Sequence, residues 1–287
     1  MKLLIAILLT CCSICNAQEK PLRLEFGVYP SDRATVMYRK FSPILDAIQV
    51  PLEKQLGREV DIHLTIFKDY ESGIKALAEG EVDFVRFGPS SYIFAEQLNP
   101  KIKLLAMELR KGLKRFNGLI IAHKDSNITE VKHVHGKSFA FGDENSTIGR
   151  FLAQELLVEN GITADSLHSF DYLGRHDKVA KAVMTKTHDV GALKSSTYKK
   201  LCDPKEIVIV RAFSNVTKPW VASSKLSKEI CDAITSSLLI LENQEVIGEL
   251  GCSGFTIATP KEYDLVREGM KKAYAFEPEI EEDNKED

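Results

Sequence analysis

Three polar clusters in this chain have the residue types and order to hold a small oxyanion. The first is Gly142-Asp143-Glu144-Asn145-Ser146-Thr147-Ile148-Gly149. It follows the apolar run Ser138-Phe139-Ala140-Phe141 and precedes the helical pattern Phe151-Leu152-Ala153-Gln154-Glu155-Leu156-Leu157. That order reads strand, polar turn, helix, so Ser146 and Thr147 fall where a helix begins. The first backbone N–H groups of a helix have no partner inside it. Two hydroxyls beside those donors suit a phosphate-like anion. The same residues also suit plain N-capping, because Ser, Thr and Asn favour that position without any ligand. The second cluster, Phe87-Gly88-Pro89-Ser90-Ser91-Tyr92, puts the hydroxyls of Ser90 and Ser91 at another helix start and adds the phenol of Tyr92. The third, Gly174-Arg175-His176-Asp177, offers an imidazole and a carboxylate.

The carboxylate matters because a phosphate or phosphonate at neutral pH often keeps one proton. A carboxylate accepts that P–O–H and repels sulfate, which has none, so it selects by making the wrong ligand costly. Asp177 and Asp189 are the candidates. Both also fit ordinary solvated positions. Arg86 lies in an otherwise apolar strand and either reaches a cleft or pairs with an acid such as Asp83. Other chemistries find little support. His133 and His135 are two apart, and no Cys/His spacing fits zinc. There is no Gly-x-Ser-x-Gly, and the Gly-Lys-Ser/Thr ending of a phosphate-binding NTPase loop is missing. No enzyme activity, metal or cofactor is expected.

The elements that must position these clusters alternate. Strands are expected at 22–28, 60–67, 82–87, 102–108, 117–123, 138–141, 170–173, 190–193 and 207–213, with a short one ending at 223. Helices are expected at 36–55, with a bend or restart at Pro43, and at 70–78, 90–97, after Thr147, 176–184 and 228–241. A last helix starts at the capping box Thr259-Pro260-Lys261-Glu262. The pattern implies α/β lobes on largely parallel sheets. The three clusters all follow strands, and ligands of open α/β sheets bind outside the carboxyl ends of strands.

Length and ends set the context. Met1-Lys2, an apolar run from Leu3 and the small residues before Gln18 read as a secretory signal over 1–17, cleaved after Ala17. A lipid anchor is the rival, because Cys11, Cys12 and Cys15 close the apolar run. The remaining chain is long enough for two lobes. Cys202, Cys231 and Cys252 are odd in number and read as buried small apolar residues. The formal net charge is −3, but residues 277–287 carry seven acids and one lysine. That tail is expected to be disordered. The body is only slightly basic, too weakly for nucleic acid.

Taken in order, these segments resemble the phosphate, phosphite and phosphonate binding proteins that serve ABC importers. The matching residues are Phe26-Gly27-Val28-Tyr29-Pro30, Gly80-Glu81-Val82-Asp83-Phe84 running into Gly88-Pro89-Ser90-Ser91-Tyr92, Phe141 to Thr147, Gly174-Arg175-His176-Asp177 and Asp189-Val190-Gly191-Ala192. The resemblance spans about residues 22–275. It implies an α/β, two-lobed type II periplasmic-binding-protein fold, with a mixed, mainly parallel sheet in each lobe and a ligand cleft between them. Lobe 1 would comprise 18–115 and 211–276, and lobe 2 would comprise 116–210. It implies an exported monomer that captures a small phosphorus oxyanion for a membrane ABC permease, or for a membrane sensor. The ligand groups it implies are Ser146, Thr147, Ile148 through its N–H, Tyr92, Ser90, Ser91, His176, Asp177, Asp189, Tyr29 and Arg86. Ile148 departs from the family pattern, where a second Ser is common. Lys194 and Arg86 also depart, and their charge favours a more highly charged anion over an aminophosphonate.

Overall fold

The structure, a computed structural model, describes residues 20–277. The signal and lipid-anchor readings, and the acidic tail beyond Glu277, lie outside the described residues. In chain order the strands are β1 (Leu22–Val28), β2 (Val60–Ile66), β3 (Phe84–Arg86), β4 (Lys103–Leu109), β5 (Arg115–His123), β6 (Ser138–Phe141), β7 (Ser169–Tyr172), β8 (Val190–Lys194), β9 (Ile207–Val216), β10 (Pro219–Ala222) and β11 (Gly254–Thr256). The helices are α1 (Ala34–Leu56), α2 (Tyr70–Glu79), α3 (Pro89–Leu98), α4 (Leu152–Glu159), α5 (His176–Met184), α6 (Ser195–Leu201), α7 (Lys228–Leu239), α8 (Gln244–Ile247) and α9 (Asp264–Ala273).

Two sheets form, in the orders β11-β4-β10-β3-β1-β2 and β7-β6-β8-β5-β9. β1 runs parallel to β2 and β3, and β6 runs parallel to β7 and β8. The other pairings are antiparallel: β10 with β3 and β4, β11 with β4, and β5 with β8 and β9. Both sheets are therefore mixed, with β1, β2, β3 and β4 running against β10 and β11 in the first and β6, β7, β8 and β9 running against β5 in the second. The cause is the double crossing between lobes. The chain leaves the first sheet through β4 into β5 and returns through β9 into β10. A returning strand beside an outgoing one must run against it. β9 stays in the second sheet to Val216, so the return crossing falls at Thr217-Lys218 and not near 210.

Helix α1 continues through both Pro43 and Pro51. A proline inside a helix costs about 3 kcal/mol. Met37, Phe41, Ile44, Leu45, Ile48 and Leu52 form one buried stripe, each contributing about 1.5–3 kcal/mol of burial. That stripe outweighs the prolines, so the expected bend does not break the helix. Beneath it lies Trp220, enclosed by Phe26, Phe41, Phe84 and Phe255. The chain's end closes on the opposite lobe. α9 packs on α4, and Phe276 enters the second core against Phe141 and Phe170. Cys202, Cys231 and Cys252 are buried free thiols. Among the described residues, no helix is long and apolar enough to cross a membrane.

Candidate functional site

A pocket lies between the lobes. Tyr29, Tyr70, Gly88 and Pro89 line it from the first lobe, and Phe116, Ser146, Thr147, Ile148, His176 and Lys194 from the second. Asn215 and Lys218, at the return crossing, complete it. Most of these residues stand at helix starts. Tyr70 opens α2, Gly88-Pro89 open α3, and His176 opens α5. Ser146 caps a π-helical turn, Thr147–Phe151, that leads into α4. The partial positive ends of four helices thus converge on one small space.

The turn at Ser146 is shaped by two glycines. Gly142 N–H donates to the Gly149 carbonyl at 2.7 Å. A Cβ on Gly149 would stand 2.7 Å from the Gly142 Cα and 3.0 Å from its N. Only glycine lets the loop fold back onto the helix start. The Ser146 hydroxyl accepts from Gly149 N–H at 3.0 Å. The N–H groups of Thr147 and Ile148 are the first of the turn and have no intrahelical acceptor.

Hydroxyls at the second cluster join the lobes. Ser90 N–H donates to Thr147 Oγ1 at 2.9 Å, and Ser90 Oγ lies 2.8 Å from the same atom. Ser90 Oγ also donates to the Asn145 carbonyl at 2.7 Å. Ser91 Oγ sits 2.8 Å from the Tyr29 phenol, which accepts from Gly88 N–H. Tyr29 in turn stacks on Tyr70, with ring centres 3.7 Å apart. Burial raises the Tyr29 phenol to about 12, so it remains a proton carrier near neutrality.

Of the candidate residues, Tyr29, Ser146, Thr147, Ile148 and His176 line the pocket together. Ser90 and Ser91 stand behind it and contact its walls. Tyr92 does not reach it. Its hydroxyl donates to Glu96, and its ring packs on Tyr263. Arg86 is held in a buried ion pair with Glu108, at 2.7 and 3.1 Å, not with Asp83. Asp177 forms two bonds to its neighbour Arg175, at 2.9 and 3.1 Å, which hold its carboxyl below the usual range. Asp189 accepts from the Ser138 backbone at 2.9 Å and its hydroxyl at 2.8 Å, tying β8 to β6. The two expected acceptor carboxylates are therefore absent from the pocket lining.

Sequence reasoning missed Tyr70, Phe116, Asn215 and Lys218. Tyr70 stands in the same strand–loop–helix pattern as the other clusters. Asn215 stands near the end of β9 and Lys218 on the crossing to β10, each a polar residue beside apolar ones. Asn215 is buried and its Oδ1 has no partner among the described residues, and the same holds for His176 Nδ1. Burial, reinforced by Lys194 and Lys218, pushes the His176 imidazole well below its ordinary value, so it is neutral. Burial also lowers Lys194 to about 8 against the pull of Asp32, 3.1 Å away. Lys218 is driven down by burial and then by Arg86 and Lys194.

Residues 26–263 match the family described as ABC transporter, phosphonate, periplasmic substrate-binding protein. The chain belongs to this family. Its members are substrate-binding components and not enzymes. Among its relatives is the probable ABC transporter phosphite binding protein PhnD1 of Prochlorococcus marinus (strain MIT 9301). It is 23% identical over 279 residues, covering 88% of this chain and 91% of that protein. The structure of PhnD1 in complex with methylphosphonate superposes with a TM-score of 0.77 at 21% identity, covering 88% of this chain and 98% of that one. A binding protein component of an ABC phosphonate transporter from Pseudomonas aeruginosa gives 0.76 at 18% identity, covering 91% and 90%. These likenesses establish the type II periplasmic-binding fold.

Proposed function

We propose that this protein is exported through a signal over 1–17 and captures a small phosphorus oxyanion in the interlobe pocket, for delivery to an ABC permease. The observation that carries the reading is the convergence of helix starts on one pocket that also holds two lysines. Thr147 and Ile148 N–H groups and one His176 ring nitrogen are the donors for the ligand's oxygens, and the Thr147 hydroxyl, whose proton goes to Ser90 Oγ, positions them. Ser146 positions them by capping Gly149. Tyr29 and Tyr70 form the polar wall, and Phe116 and Ile148 face a non-oxygen substituent. The ligands of the relatives, phosphite and methylphosphonate, are small phosphorus oxyanions of the kind such a pocket suits.

A thermal-shift panel of phosphate, phosphite, methylphosphonate and 2-aminoethylphosphonate tests this reading. A ligand at a hundred times its Kd stabilises by about 2.7 kcal/mol, a readily seen rise in Tm. No shift with any of the four would remove the proposal. Mass measurement of the mature protein checks the signal. Its mass should correspond to a chain starting at Gln18.

A further inference from the structure

We propose that the pocket selects a doubly charged oxyanion by charge, with Lys194 and Lys218 as the countercharges, and does not read a P–O–H proton through a carboxylate. This inference rests on the oxyanion reading above and specifies its ligand.

Three observations carry it. First, among the described residues the pocket lining contains no Asp or Glu. Asp177 and Asp189 are engaged elsewhere. Second, the carboxylates nearest the two lysines are shared with other cations. Asp32 is 3.1 Å from Lys194 but also 3.0 Å from Lys40. Glu108, which faces Lys218, is bonded by Arg86 at 2.7 Å and Arg110 at 3.0 Å. Lys40 and Lys194 thus share Asp32, and Arg86, Arg110 and Lys218 share Glu108. The Lys218 ammonium makes no ion pair or hydrogen bond among the described residues. Third, the two buried polar atoms without partners in the lining, Asn215 Oδ1 and His176 Nδ1, sit on neutral groups. Neither offsets a lysine's charge, and Asn215 Oδ1, an acceptor, gives no hydrogen bond to a fully ionised oxyanion.

Burial and repulsion by neighbouring cations disfavour the charged form of both lysines, lowering Lys194 to about 8, and a bound anion of matching charge restores it. A monoanion leaves one lysine unmatched. A neighbouring depression holds Asp69, Glu71, Asp143 and Glu144 and shares Tyr70 with the pocket. Those acids adjoin the pocket through Tyr70. They form no ion pair with either lysine among the described residues.

The test is titration calorimetry on the mature protein at pH 8, using two isosteric pairs. Methylphosphonate and methanesulfonate share shape but differ in charge. Phosphate and sulfate both carry two charges, but only phosphate can keep a proton. Methylphosphonate is expected to bind at least about 100-fold tighter than methanesulfonate, and sulfate to bind within about ten-fold of phosphate. Lys218→Gln or Lys194→Gln should each shrink the first ratio by about ten-fold or more. Comparable binding of methanesulfonate would overturn the proposal, as would rejection of sulfate. Tighter binding of 2-aminoethylphosphonate than methylphosphonate would also overturn it, because a ligand's added positive charge would then favour binding. The wild-type ratios decide even if a variant fails to fold. Failure of all four anions removes the oxyanion reading as well, whereas equal binding of the first pair removes only this inference.

Discussion

Thr147 uses its hydroxyl to accept from Ser90 N–H across the cleft, while its own N–H has no acceptor inside the turn. Ser146 beside it holds the turn by accepting from Gly149. Capping and anion binding are therefore compatible at this site, because the donors that need a partner are the ones exposed at the helix start. Single side chains make two predictions about acidity. Burial raises the Asp143 carboxyl to about 6, against a bond from Asn145 N–H. A folded value above the unfolded one means that stability is lost as pH rises from about 4 through 6. Asp143→Asn should therefore raise Tm at pH 7.5, worth about 1–3 kcal/mol, and leave it unchanged at pH 4. An equal effect at both pH values would contradict this. Glu108 is the opposite case. Burial alone would raise it, but Arg86 and Arg110 outweigh burial and hold it at about 2. Its contribution is present above the unfolded value and is lost as pH falls through 2. Glu108→Gln, which leaves two buried guanidiniums unmatched, should cost about 3–5 kcal/mol in a urea melt at pH 7.

At the scale of elements, the strand–turn–helix units were legible because hydrophobic period and capping residues are local signals. The clusters at 88–91, 142–149 and 174–177 all stand at helix starts. Which residues turn into the pocket was not legible, because it depends on distant partners. Arg86 found Glu108, not Asp83, which accepts instead from Glu25 N–H. Asp177 found its own neighbour Arg175. Lys218 had no strand–turn–helix pattern to mark it, since it stands on a crossing. Two element-level changes follow. Gly149→Ala drives a Cβ into the Gly142 backbone, and this should cost about 1–3 kcal/mol and abolish ligand-induced stabilisation. Asp69→Ala removes the cap of α2, where Asp69 accepts from Ser72 N–H at 2.8 Å. It should cost about 1 kcal/mol with ligand affinity nearly unchanged. A large affinity loss would place Asp69 in the binding site.

For the whole molecule, the two-lobed arrangement and the shared direction of most strands followed from the order of elements, but the reversed strands β5, β10 and β11 did not. The double crossing makes both sheets mixed, and it places Asn215 and Lys218 at the base of the cleft. The lobes meet through Ser90 with Thr147 and Asn145, and through Lys194 with Asp32. At their outer side, α9 is fastened to the second lobe by Lys272 with Glu155 and Glu159, at 3.0 and 2.6 Å, and by the Phe276 carbonyl accepting from Ala164 N–H at 2.8 Å. Closure of such lobes around a ligand is the usual response of this architecture. The most direct test is calorimetric titration of methylphosphonate into wild type and into the Ser146→Ala/Thr147→Ala variant, with circular dichroism confirming that both are folded. One-to-one binding by wild type and a loss of at least about 100-fold in the variant is the predicted result. Undiminished affinity in the folded variant, or no binding by wild type, would contradict the assignment of the pocket.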